Sequence, residues 1–161
     1  MGVGAWNIAL KKPTTAAEAV SEAIRTLGGR AEAEGIEILS PAERAVVLTM
    51  FAAGIIGNGG FKYFYEGAYF HKGKNRVPAL AEAYDLIGFT EAALAARKSL
   101  EFFPAGVPDL GPAWTNRYMD GKTDEVVNAF FAPLDHAIWA LNDDQVLETA
   151  LAALLKQEGI R

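Results

Sequence analysis

The chain has 161 residues, a net charge of −5, 51% apolar residues and no cysteine. That size fits one domain with its own core, and the apolar share argues against disorder. The missing cysteine excludes disulfides, thiolate metal sites, Fe–S clusters and a cysteine nucleophile, and it permits any redox compartment, the cytosol mildly favoured. The charge is uneven. Residues 1–100 carry 10 acids and 11 bases, and residues 101–161 carry 10 acids and 4 bases. An acidic second part repels nucleic acid and suits a basic partner, although a solvated helix surface gives the same pattern.

The N-terminus, MGVGAWNIALKKP, is apolar and then basic, the reverse of a signal peptide, and Trp6 stands where a myristoylation signal has Ser or Thr. No uninterrupted apolar window reaches the length of a membrane span. The expectation is a cytoplasmic protein with no membrane partner. Residues 14–34 predict a first helix, with Val20, Ile24 and Leu27 at helical spacing and Thr15 with Glu18 as a capping box. Gly28-Gly29 would end or kink it.

The clearest local signal is SPAE at 40–43. Ser40 caps, Pro41 suits the first turn and Glu43 reaches back to the cap amide. The run from Ala45 to Ile56 is apolar nearly all round, as in a central helix. Its β-branched residues also suit a buried strand, but the length and the capping box favour helix. GNGGFKYF, residues 57–64, then ends the helix at a corner. Asn58 bonds to free backbone groups there, Gly59 or Gly60 makes the turn, and Phe61 and Phe64 plug the core. A helix from Pro78 to Gly88 follows, then one capped by Thr90 and stopped by Pro104.

Residues 104–122 hold three prolines and three glycines and read as a long irregular connection. A short helix near 124–131 comes next, capped by Thr123. Pro133 interrupts it, and LDHAIWAL forms another turn or two. Asn142 with Gln145 makes a further capping box for a last helix, with Asp143 and Asp144 at its N-terminus and Lys156 at its C-terminus. The fold predicted is all-α, a single domain over 1–161 with six to eight helices around a central apolar helix.

Catalytic signatures are scarce. GNGG lacks the spacing of a phosphate loop or a dinucleotide fingerprint. His71 and His136 have no second histidine in helical reach, and no serine lies in a nucleophile elbow. Asp135 and His136 are adjacent, but neighbours on a helix point about 100° apart, so a half-buried structural histidine is expected. No catalytic residue, metal ligand or cofactor is assigned. Lys62 and HKGKNR at 71–76 form one basic patch among aromatics, which is too little for a nucleic-acid surface on an acidic chain. Trp114, Arg117 and Tyr118 in the long connection are of the types that anchor protein interfaces.

The stretch NGGF followed by paired aromatics resembles a hallmark of the DNA-mimic-protein-like family of helical domains. The preceding apolar helix, the AYDLIG segment, the Ala-rich helix ending in EFF and the late LDHAIWAL element agree with it. The resemblance covers roughly residues 40–145. It departs at Lys62-Tyr63 and Glu66-Gly67, where relatives tend to carry Gln and Asn. The resemblance implies an all-α fold without known catalytic residues, and a surface of acids that imitates a nucleic-acid backbone for a DNA-binding protein. Its candidate acids are Asp109, Asp120, Asp124, Glu125, Asp135, Asp143, Asp144 and Glu148.

Two functions follow as expectations. The first is a non-enzymatic interaction module that engages a basic, DNA-binding protein through these acids or through Trp114, Arg117 and Tyr118. The alternative is a small-ligand binder or enzyme with an aromatic pocket near His136 and Trp139.

Overall fold

The computed structural model describes residues 15–66, 76–103 and 124–160. Among them are six α-helices and no strand: α1 (Ala16–Glu34), α2 (Pro41–Glu66), α3 (Arg76–Leu86), α4 (Thr90–Ser99), α5 (Asp124–Trp139) and α6 (Val146–Glu158). Short 3-10 turns span Ile36–Ile38, Leu100–Phe102 and Asp143–Gln145. Helix α2 is central and packs against α1, α3, α5 and α6, while α4 covers α3 and α5 and α1 lies along α6.

Two helix starts close locally, as their sequences predict. The Glu18 amide donates to Thr15 Oγ1 at 3.1 Å and the Thr15 amide donates to Glu18 Oε2 at 3.2 Å. At α2 the Ser40 amide donates to Glu43 Oε2 at 2.8 Å, and the Glu43 amide donates to Ser40 Oγ at 3.2 Å. Glu43 also accepts from Arg30 of α1 at 2.8 Å, so the cap of α2 is tied to the end of the preceding helix.

Helix α2 is apolar because it is surrounded. Val46, Ala52 and Ile56 are fully buried, and so is Thr49, whose hydroxyl donates back to the Ala45 carbonyl at 2.7 Å. By length and composition α2 is also apolar enough to cross a membrane, yet 56% of that apolar window is buried inside the fold. Its character follows from its place at the centre.

Several local expectations give way to packing. Helix α1 runs through Gly28-Gly29 without ending, because Val20, Ala23 and Leu27 form a buried stripe against its neighbours. Pro133 does not interrupt α5, which is one helix of 16 residues. Pro133 and Ala129 are both exposed, so the carbonyl that loses its donor faces water. Meanwhile Val127, Phe131, Leu134 and Ile138 hold the other face in the core. Thr90 does not cap α4; it is the first helical residue, and Phe89 precedes it without a side-chain bond. The Asn142–Gln145 box does not form either. Gln145 takes a left-handed conformation, φ 58°, and a 3-10 turn over Asp143–Gln145 leads into α6. Gly88 closes α3 as expected: with φ 84° it lets the Phe89 amide reach the Tyr84 carbonyl at 2.9 Å.

The α2 cap makes a prediction. Ser40→Ala removes an acceptor from the first turn and should cost about 1 kcal/mol in urea denaturation. The Ser40 amide, assisted by Arg30, holds the Glu43 carboxyl below its ordinary value of 4.5. The stability that Glu43 contributes is therefore complete above that ordinary value and lost as pH falls through the lowered native one. Glu43→Gln should remove that part of the acid sensitivity. An unchanged acid limb in the variant would contradict the assignment.

Candidate functional site

The GNGGFKYF stretch lies inside α2 and breaks it. Gly60 has φ 72° and ψ −174°, and helical geometry resumes on both sides. The chain is redirected without leaving the helix, so the expected corner is a kink with no connecting loop. Residues ahead of the break bury one stripe, and Phe61, Phe64 and Tyr65 begin a new one at i, i+3 and i+4.

A break exposes backbone groups on both sides, and α5 supplies partners for two of them. The Phe61 amide would point to Gly57 in an unbroken helix. Here it donates to Asp135 Oδ1 at 2.7 Å. Trp139 Nε1–H donates to the Ile56 carbonyl at 2.8 Å. Asp135 and Trp139 are four residues apart on one face of α5, so a single helix face holds both ends of the break. Asn58 acts locally, its Nδ2 donating to the Gly54 carbonyl at 2.7 Å.

Both central glycines are required by contact. A Cβ on Gly59 would lie 2.6 Å from Tyr63 Cβ. A Cβ on Gly60 would lie 2.3 Å from Asp135 Oδ2, in addition to the cost of a positive φ. The Asp135 carboxylate thus occupies the space that a side chain at 60 would fill.

Beyond the break an aromatic cluster forms. Phe61 stacks on Phe131 with centroids 6.3 Å apart, Phe64 meets Tyr65 edge-on at 5.3 Å, and Tyr65 meets Phe103 at 4.7 Å. Phe102 joins Phe131 at 5.0 Å. Ser99 donates to the Ala96 carbonyl at 2.6 Å, so the Tyr65 hydroxyl is the donor in the 2.7 Å bond to Ser99 Oγ. Burial pushes the Tyr65 hydroxyl far above its usual range. These groups are structural, and the break delivers them to the core.

The sequence-derived site residues divide. Asn58, Gly59, Gly60, Phe61 and Phe64 meet at the break. Asp135 does not belong to an acidic surface: it is 8% exposed and turned inward onto Phe61. Glu125 and Asp143 are exposed, and Glu148 is half-buried. Asp109, Asp120, Trp114, Arg117 and Tyr118 lie outside the described residues, as do the side chains of Asp124 and Asp144. His136 is exposed and not half-buried as expected. The next helical position after Asp135 faces solvent, where its ring packs edge-to-face with Trp139 at 5.1 Å. A shallow groove of about 250 Å³ lies elsewhere, between the start of α2 and α3, with Arg44 and Glu82 on its walls. No cluster of three metal-ligating side chains occurs among the described residues. The roles of Asp135 and Trp139 escaped sequence reading. Their spacing of four puts them on one face of α5, but nothing local names a partner for that face.

Burial raises the Asp135 carboxyl above its ordinary value of 3.8, and the Phe61 amide only partly offsets this. The native state therefore takes up this proton before the unfolded chain does, and Asp135 stabilises the fold most at low pH and least once ionised. Asp135→Asn keeps an acceptor for Phe61 and should stay within about 1 kcal/mol of wild type at neutral pH. Wild type should gain on it as pH falls through the raised value. Asp135→Ala strands a buried amide and should cost about 1–3 kcal/mol. Gly60→Ala should cost at least as much, about 1–3 kcal/mol from backbone strain with the displaced carboxylate in addition. Equal urea midpoints for Asp135→Asn and Asp135→Ala would overturn the capping role.

No curated protein and no solved structure matches the chain. A family model, described as DMP19-like protein, matches residues 37–158, which spans α2 with its break, the Asp135 helix and all of α6. The chain belongs to the DMP19-like family.

Proposed function

We propose that the domain is a protein-interaction module that regulates a basic, DNA-binding partner by offering it an acidic surface. One observation carries this reading: the polar groups of the family-like motif are consumed by the α2 break, while Glu125 and Asp143, among the described acids of the second part, face outward. Asp135, Trp139 and Asn58 all hold backbone groups. Glu125, in the first turn of α5, and Asp143, just beyond its C-terminus, are exposed. A helix of 16 residues is roughly 24 Å long, and a duplex advances about 3.4 Å per phosphate on each strand. The two acids therefore bracket a length comparable to about seven nucleotide steps.

Membership of the family supports this reading, since its name refers to DNA mimicry. The excess of 10 acids over 4 bases in residues 101–161 supplies the sign of charge that attracts a nucleic-acid-binding surface and repels nucleic acid itself. Such recognition speeds encounter and weakens with salt.

The test is affinity capture with the immobilised wild-type chain and the Asp143→Lys/Asp144→Lys variant. Wild type should retain basic DNA-binding proteins that duplex DNA displaces, and the variant should lose them. Capture that persists in the variant, or that duplex DNA does not displace, removes the acidic-surface mechanism.

A further inference from the structure

Helix α5 turns one side to the core and leaves the other uncovered. Val127, Phe131, Leu134 and Ile138 are buried. From Val126 to Trp139 the sequence holds no lysine, arginine or glutamate, and its one acid, Asp135, is turned inward. A helix side that water covers normally carries charge, as α1 does with the exposed Arg25, Arg30, Glu32 and Glu34. The uncovered side of α5 has alanines in their place.

Five exposed positions on that side form a regular seam. Glu125, Ala129, Ala132, His136 and Trp139 follow one another at spacings of 4, 3, 4 and 3, the repeat of helices that pack along their length. The two alanines at its centre let a second helix come close. Glu125 and His136 stand on either side of them. The imidazole is held in place, since it packs edge-to-face with Trp139 at 5.1 Å and the Trp139 indole N–H is bonded to the Ile56 carbonyl at 2.8 Å.

The seam is complementary to itself. When an identical helix is laid antiparallel, crossing between residues 130 and 131, Ala129 of each copy faces Ala132 of the other and Glu125 faces His136. A two-fold axis makes each contact twice. The imidazole, neutral or charged, has an N–H to donate to the carboxylate. A slide of one heptad in either direction breaks both Glu125–His136 pairs, so the charges fix the register.

We propose that this side of α5 is a self-association surface that pairs two copies of the chain antiparallel about a two-fold axis between residues 130 and 131. A single helix pair buries less than the roughly 1,200 Å² of a permanent complex, so the dimer is weak and reversible. The inference goes beyond the acidic-regulator reading and does not rest on it. Glu125 lies on the seam, and Asp143 lies beyond the helix that carries it.

The experiment is sedimentation equilibrium of the full chain from about 10 μM to about 1 mM, the range of a weak complex. Wild type should pass from monomer to dimer. Glu125→Lys and His136→Glu should each weaken the dimer roughly five- to tenfold, the range for two exposed ion pairs lost or reversed. The double variant Glu125→Lys/His136→Glu rebuilds the pairs in the opposite sense and should return to within about twofold of wild type. Ala129→Arg fills the centre of the seam and should stay monomeric throughout. All three positions are exposed, so the urea midpoints of the variants should remain those of wild type, and the charge exchange tests the surface even if Ala129→Arg disturbs the helix. A wild-type monomer at the highest concentration, a folded Ala129→Arg that still dimerises, or a double variant no stronger than His136→Glu overturns the proposal.

Discussion

The bond from the Phe61 amide to the Asp135 carboxylate is the contact on which the rest of the architecture depends. A central helix of 26 residues that must serve two packing environments needs its apolar face rotated partway along. Gly60 provides the rotation, but an open backbone inside a core is costly unless its groups are bonded. Asp135 satisfies the amide that the rotation releases, and Trp139 satisfies a carbonyl on the other side. With both in place, Phe61, Phe64 and Tyr65 enter the core fully buried and meet Phe131 and Phe103. Remove the carboxylate and the aromatic cluster loses the amide that fixes its entry angle.

The same bond shows where sequence reading succeeds and where it stops. Signals that close within four residues were legible, as at Thr15 with Glu18 and Ser40 with Glu43, because their geometry is set by the local chain alone. Gly28-Gly29, Pro133 and the Asn142–Gln145 pair were misleading for a common reason. Each expresses a preference of about 1 to 3 kcal/mol that a well-packed helix face can outweigh. Asp135 was out of reach in another way. Its partner lies 74 residues earlier, and nothing in LDHAIWAL states that its carboxylate faces inward while the histidine beside it faces out. The GNGG stretch gave the position of the bend correctly and its form incorrectly, since a glycine at positive φ suits both a helix end and a kink.

Residues that stand out in this sequence invite a catalytic or ligand-binding reading, and an aspartate next to a histidine invites it most. The structure separates them: one carboxylate is buried against an amide and one imidazole lies on the surface against an indole. The family-like signature is therefore a folding device, and the acids available to a partner are those outside it, such as Glu125 and Asp143.

That division lets fold and recognition vary independently along one helix. In α5 the buried stripe of Val127, Phe131, Leu134, Asp135 and Ile138 is constrained by packing and by the break it caps. Its opposite face, with Glu125 and His136, touches little of the core and can change charge at small cost to stability. Trp139 belongs to both, since its indole N–H serves the core helix while more than a third of it remains exposed. Trp139 thereby couples the exposed side of α5 to the bend in α2 through one hydrogen bond, and through α2 to the aromatic core.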